Sequence, residues 1–318
     1  MTATQAQAEA AEHVARIKSK QDPAVSRAEG WRRRGPLLPA LIFMIVVTQI
    51  PFLFTLYYST LSWNLVRPGS RHFVGIQNYV DVVTDGTFWQ VAVNTVVIIV
   101  ATVLISVILG LILALLLDRV FLGRGVVRTL LITPFLVTPV AGALMWKTAM
   151  LDPVFGIVNW VLSPFGVHHI DWVSRFPLTS IIIALVWQWT PFMMLLILAG
   201  LQSMPRDILE AGRVDGATGF QLFRELTLPH LRRFIELGTV LGAIYLVNTF
   251  DQIYMMTQGG PGTASANLPF YIYQRAFLGF DIGQAAAMGV IVVIFTMVIA
   301  SFALRLIFTS FTGKEEAA

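Results

Sequence analysis

The chain has 318 residues, 56% hydrophobic and only 13% charged, against roughly 25% charged in soluble domains. That balance excludes a soluble enzyme and a disordered chain, and the absence of cysteine excludes disulfides, Cys-ligated zinc, iron-sulfur clusters and thiol nucleophiles. The net charge of +4 would suggest nucleic acid in a soluble protein, but in so apolar a chain a basic excess marks loops on one side of a membrane.

Residues 1–30 are rich in Ala, Glu and Gln without a periodic apolar face and read as a separate tail. Arg32, Arg33 and Arg34 then precede an apolar run that is too long for a signal-peptide core and has no small-residue cleavage site, so it reads as a retained first helix. A helix needs about 20 apolar residues to cross a ~30 Å hydrocarbon layer. Six stretches meet or approach this, at about 37–58, 91–117, 127–147, 178–201, 234–256 and 282–305. The third holds Pro134 and Pro139, which predicts a kinked helix whose freed carbonyls are satisfied inside the bundle. The fifth is the weakest, with Glu236 and Asp251 near its ends.

The chain thus reads as an all-α integral membrane protein: a tail over 1–30, a transmembrane domain over 31–311, and a tail over 312–318. With six spans, 17 of the 22 Lys and Arg residues lie on the side of the termini and 5 on the other. Short basic loops stay in the cytoplasm, which puts both termini there and accounts for the basic charge without nucleic acid.

Between the fourth and fifth spans, residues 204–230 read as a folded knob. Pro205 and Asp207 suit a helix start, Gly216 a helix end, and Thr218 with Gln221 a capping box for a second short helix over 219–226 that Pro229 ends. An amphipathic pair lying on lipid headgroups is one reading of such a knob. Its residue order gives another. Glu210-Ala211-Gly212, Asp215-Gly216-Ala217 and, after eight residues, Leu226-Thr227-Leu228-Pro229 resemble the coupling signature of bacterial ABC importer permeases, E-A-A, D-G-A, eight residues, I-x-L-P. Gly212 and Leu226 depart from it by small changes. Phe73 to Tyr79 and Thr257 to Gly262 resemble the carbohydrate-uptake branch of that family, which includes maltose, glycerol-3-phosphate and polyol permeases.

The resemblance implies a type I importer fold in a bacterial inner membrane, with carbohydrate as the substrate and three kinds of protein partner: a second, similar permease, two cytoplasmic ATPase subunits and an extracytoplasmic solute-binding protein. It also implies that Glu210, Ala211, Gly212, Asp215, Gly216 and Ala217 seat against an ATPase. The small residues permit close approach, and the two acids can pair with basic groups.

The chain itself has no phosphate-binding G-x-x-x-x-G-K-[ST], so ATP hydrolysis falls to a partner. His168 and His169 stand beside Asp171, but adjacent side chains diverge, and neither a metal site, a cofactor nor catalytic residues are expected. Polar side chains at membrane depth are expensive and point to function. In the fourth span these are Gln188, with Trp189 and Phe192; near the outer end of the fifth they are Asn248, Asp251 and Gln252, with Tyr254; in the third, Thr138 lies between two prolines. Amides and carboxylates with ring faces suit sugar hydroxyls and C–H patches. The same residues also suit interfacial belts and bridges between helices. Asn248 is the leading candidate, and the spacing around it looks most like polyol permeases. An ATP-independent secondary transporter or channel is the alternative, for which the spans lack coupling charges apart from Lys147 and Asp251 near their ends.

Overall fold

The structure, a computed structural model, describes residues 37–312 apart from Pro68, Ser70 and Val167. The predicted N-terminal tail and the residues after Thr312 lie outside the described residues.

The described residues divide into two units at Tyr57 and Tyr58. The described part of the first is α1 (Leu38–Ser59), which runs two residues past the boundary and is apolar on every face. In hydrocarbon such a helix satisfies its backbone internally, and Thr48 and Thr55 do the same for their hydroxyls by donating to the carbonyls of Met44 and Pro51.

The second unit opens with a two-residue antiparallel ribbon, β1 (Leu61–Ser62) and β2 (His72–Phe73), with Leu61 opposite Phe73. Then comes α2 (Gln77–Thr84), where Asn78 donates to the carbonyls of Ser59 and Leu61 at 2.8 Å each. The longest helix is α3 (Gly86–Asp118), capped by the Asp85 carboxylate on the Thr87 N–H at 2.8 Å. Two shorter helices, α4 (Arg124–Leu136) and α5 (Pro139–Met145, prolonged by a wide turn over Trp146–Met150), meet at an angle of 100°. The predicted kink is therefore a sharp break at Val137 and Thr138. Outside it lie α6 (Ile157–Leu162) and α7 (Trp172–Arg175).

Next comes α8 (Pro177–Gln202), then the knob of α9 (Arg206–Val214) and α10 (Gly219–Gln221), and α11 (Leu228–Val247). The rest is α12 (Asp251–Met256), α13 (Leu268–Tyr273) and α14 (Ile282–Thr312).

The central pair is α3 with α8, which α11 joins from one side; α4 lies against α8, α12 against α5, and α14 against α11 and α2. Lipid tails are as apolar as the helices, so close packing rather than water exclusion holds such a pair. At Gly110 a Cβ would stand 2.8 Å from the Met194 backbone nitrogen, so only glycine lets α3 and α8 approach this closely. One buried cluster joins Ile98, Leu185, Met193, Leu246 and Ile253, and a second joins Leu117, Ile197, Leu198 and Leu231.

Among the described residues α1, α3 and α8 are each long and apolar enough to cross a membrane, and the bent α4–α5 pair meets the same test only when its two arms are taken as one span. The predicted fifth stretch is divided: α11 starts at Leu228 and stops at Val247, and a bend over Asn248–Phe250 separates it from α12. Contrary to the sequence reading, Pro229 ends nothing. The helical path runs through it because Leu222–Thr227 winds in wide turns, with Leu228 N–H on the Phe223 carbonyl five residues back, which makes room for the proline ring.

Candidate functional site

The break in α4–α5 and the bend after α11 face each other across α8, and between them opens a cavity of about 440 Å³. Of the residues singled out from sequence, Gln188, Trp189, Asn248, Asp251 and Gln252 line it. Thr138 lies in the break, between the lining residues Val137 and Pro139. Phe192 and Tyr254 stand behind the wall: Phe192 stacks on Phe135 at 5.6 Å between ring centres, and Tyr254 on Phe250 at 5.4 Å.

Buried Gln252 donates its Nε2 to Gln188 Oε1 at 2.7 Å, and buried Gln188 donates its own Nε2 to the Val137 carbonyl at 3.0 Å. The carbonyl of Val137, at the break itself, takes its partner from α8. Both amides thus hold the walls of the cavity as well as lining it. Asn248 is exposed and donates only within its own helix, to the Ile244 carbonyl at 3.2 Å, so of the three amides it is the least committed to structure. The rings of Trp189 and Tyr245 lie 5.7 Å apart on one side.

Sequence reasoning missed Phe135 and Tyr245 as lining residues. Tyr245 was within reach, since it precedes Asn248 by one helical turn and shares its face. Phe135 was not, because it reaches Trp189 and Phe192 through the packing of α4 on α8, which no local signal announces.

A Gly-Pro loop, residues 257–267, folds back against α3. Asn94 Nδ2 lies 3.0, 3.2 and 3.1 Å from the carbonyls of Thr263, Ala264 and Ala266, and Thr95 Oγ1 accepts from Leu268 N–H at 2.9 Å. Asn94 therefore holds this loop against α3. Asn267 donates to the Thr249 carbonyl and caps α13 through Phe270 N–H at 3.1 Å, which fixes the bend beside Asn248. At the foot of α3, Asp85 accepts from Tyr271 and Arg275, both at 2.9 Å. Burial raises the Asp85 pKa, but the hydrogen bonds from Thr87 and Tyr271 and the Arg275 charge outweigh it, so the carboxyl titrates below its ordinary value.

In the knob, α9 ends at Gly216, whose φ of +82° favours glycine, with Ala217 N–H on the Gly212 carbonyl at 3.0 Å and Gly216 N–H on Arg213 at 3.1 Å. The capping box forms as read: Thr218 N–H meets Gln221 Oε1 at 2.8 Å, and Gln221 N–H meets Thr218 Oγ1 at 3.4 Å. A Cβ on Gly212 would come within 2.6 Å of Leu222, so glycine in place of the usual alanine lets α9 lie close on the turn that follows. Glu210 and Asp215 are exposed, and so are the apolar Val214 and Phe220.

Residues 106–311 match the family described as binding-protein-dependent transport system inner membrane component. The chain is 38% identical over 266 residues to the probable ABC transporter permease protein y4oQ of Sinorhizobium fredii, covering 83% of this chain and 86% of that one. It belongs to this permease family. The permease is 35% identical to the trehalose/maltose transport system permease protein MalF of Thermococcus litoralis, over 82% of this chain and 90% of that one. To the sulfoquinovosyl glycerol transport system permease protein SmoG of Agrobacterium fabrum it is 33% identical, over 92% and 97%. Its fold matches the crystal structure of a bacterial ABC transporter that imports the acidic polysaccharide alginate, with a TM-score of 0.75 over 88% of this chain and 96% of that one, at 23% identity. The permease is thus an all-α, multi-pass transport subunit of the inner membrane.

Proposed function

We propose that the permease translocates a sugar, a polyol or a related carbohydrate, handed to it by an extracytoplasmic solute-binding protein. In this reading it pairs with a second, similar permease and is driven by two cytoplasmic ATPase subunits. The observation that carries the substrate class is the cavity of about 440 Å³ between the two helix breaks, where amides and the Asp251 carboxylate stand among aromatic rings. Hydroxyl groups need such donors and acceptors, and ring faces cover the C–H surfaces of a sugar. The relatives named for trehalose, maltose and sulfoquinovosyl glycerol support the same class.

Asn248, Asp251, Gln188, Gln252 and Trp189 would contact the substrate directly, while Thr138, Phe192 and Tyr254 shape the walls. Glu210 to Gly212 and Asp215 to Ala217 would seat on the ATPase, where exposed Val214 and Phe220 add apolar surface beside the two acids. The test is uptake of a sugar and polyol panel by the importer reconstituted with its partners. Asn248→Leu should leave substrate hydroxyls unpaired at ~1 to 3 kcal/mol, or roughly 5-fold to 150-fold in apparent affinity at the membrane site. The binding protein's own affinity and basal ATP hydrolysis should not change. Unaltered transport per assembled complex would remove Asn248 from the site.

A further inference from the structure

The segment between the α4–α5 pair and α8 has a feature that the proposed substrate site does not include. From Pro153 to Val167 there is no charged residue, and α6 with its flanks turns large apolar side chains outward: Phe155 is 84% exposed, Trp160 76% and Phe165 81%, with Val154 and Val161 also exposed. This is not a loose loop. Asn159 is buried beneath it, donating to the carbonyls of Asp152 at 3.0 Å and Ile170 at 2.9 Å and accepting from Trp172 Nε1 at 3.0 Å. Val158 packs inward on the bundle core. The polar knot under α6 therefore fixes which face is turned out.

We propose that this outer face of α6 lies in the bilayer surface, with the boundary between headgroups and acyl chains as its partner. The placement supports lipid over protein: α6 packs on the Trp146–Met150 turn, the end of the bent pair that is long and apolar enough for one crossing when its arms are taken together, which puts α6 where such a span would meet water. Trp and Phe favour that depth, and an uncharged face with one buried Asn is built for it. At the neighbouring foot of α8, the Arg175 guanidinium lies 5.4 Å over the exposed Phe176 ring, an arrangement that lets the charge reach headgroups while its stem stays apolar. Asp152, Pro153 and Asp171, which adjoin the Asn159 knot, also line a second cavity of about 490 Å³ with Lys147 and Thr257. Lipid seating of α6 thereby sets the position of one wall of that cavity.

The permease has no cysteine, so Trp160→Cys carries a nitroxide at one site. The importer, assembled with cysteine-free partners, would be placed in phosphatidylcholine–phosphatidylglycerol nanodiscs, and collisions of the label with oxygen and with a water-soluble nickel chelate compared. The expected result is an oxygen-to-nickel collision ratio several-fold above that of the same complex in short-chain detergent, placing the label below the phosphates. A label fully open to nickel overturns the proposal. So does one shielded from both reagents, or shielded only when the solute-binding protein is added, since a protein then covers the face. Trp160→Gln combined with Phe165→Gln gives an independent reading: thermal stability should fall in nanodiscs and stay unchanged in detergent, and an equal fall in both would make the residues part of the protein's own packing.

Discussion

Gln188 touches both of the breaks that open the cavity, since its two amide atoms reach the Val137 carbonyl and the Gln252 side chain. Gln188→Leu keeps the volume and removes both bonds. A hydrogen bond between helices inside a membrane protein is worth about 0.6 kcal/mol on average, whereas an orphaned buried amide or carbonyl costs about 1 to 3 kcal/mol. The orphaned groups therefore decide the outcome. The variant should unfold at lower temperature and yield less assembled complex, as thermal unfolding in detergent and complex yield would report. An unchanged melting temperature would show that water replaces the amide.

Among the elements, the knob was the most legible in sequence, because every signal in it is local. Gly216 stops α9, and Thr218 with Gln221 caps the turn that follows, each within four residues of its partner. Glu210 is exposed on this knob, and Glu210→Lys should replace attraction to a basic ATPase group by repulsion. Uptake and substrate-stimulated ATP hydrolysis should be lost while membrane insertion persists; normal uptake would remove the coupling role.

The bend after Val247 was not legible, because it depends on Asn267 reaching the Thr249 carbonyl from a later element. Of the site, the polar residue types could be read, but the pairing of Gln188 with Gln252 across 64 residues could not. The clasp at the foot of α3 was likewise hidden. Its Asp85 carboxyl titrates below the ordinary value of 3.8, so its contribution is complete above that pH and is lost as pH falls through the lower folded value. Stability should thus be insensitive to this group between pH 8 and 5. Asp85→Asn at pH 7 should lower stability by about 1 kcal/mol or less, seen as a small drop in melting temperature, since Arg275 is partly exposed. No change at pH 7 would make the ion pair incidental.

For the whole molecule, orientation rests on charge. With 17 basic residues assigned to one side and 5 to the other, a reporter fused after Lys314 should read as cytoplasmic and one inserted near Gly262 as external. The opposite result at either position overturns the six-span reading.

A loop of glycine and proline would normally swing by itself, but here three of its carbonyls gather on the Asn94 amide, and its far end is held by Thr95. The loop must travel with α3. A helix of 33 residues is about 50 Å long, so a tilt of about 5° at one end moves the other by about 4 Å. The mouth beside the loop would then open as the end of a lever and not as a flap.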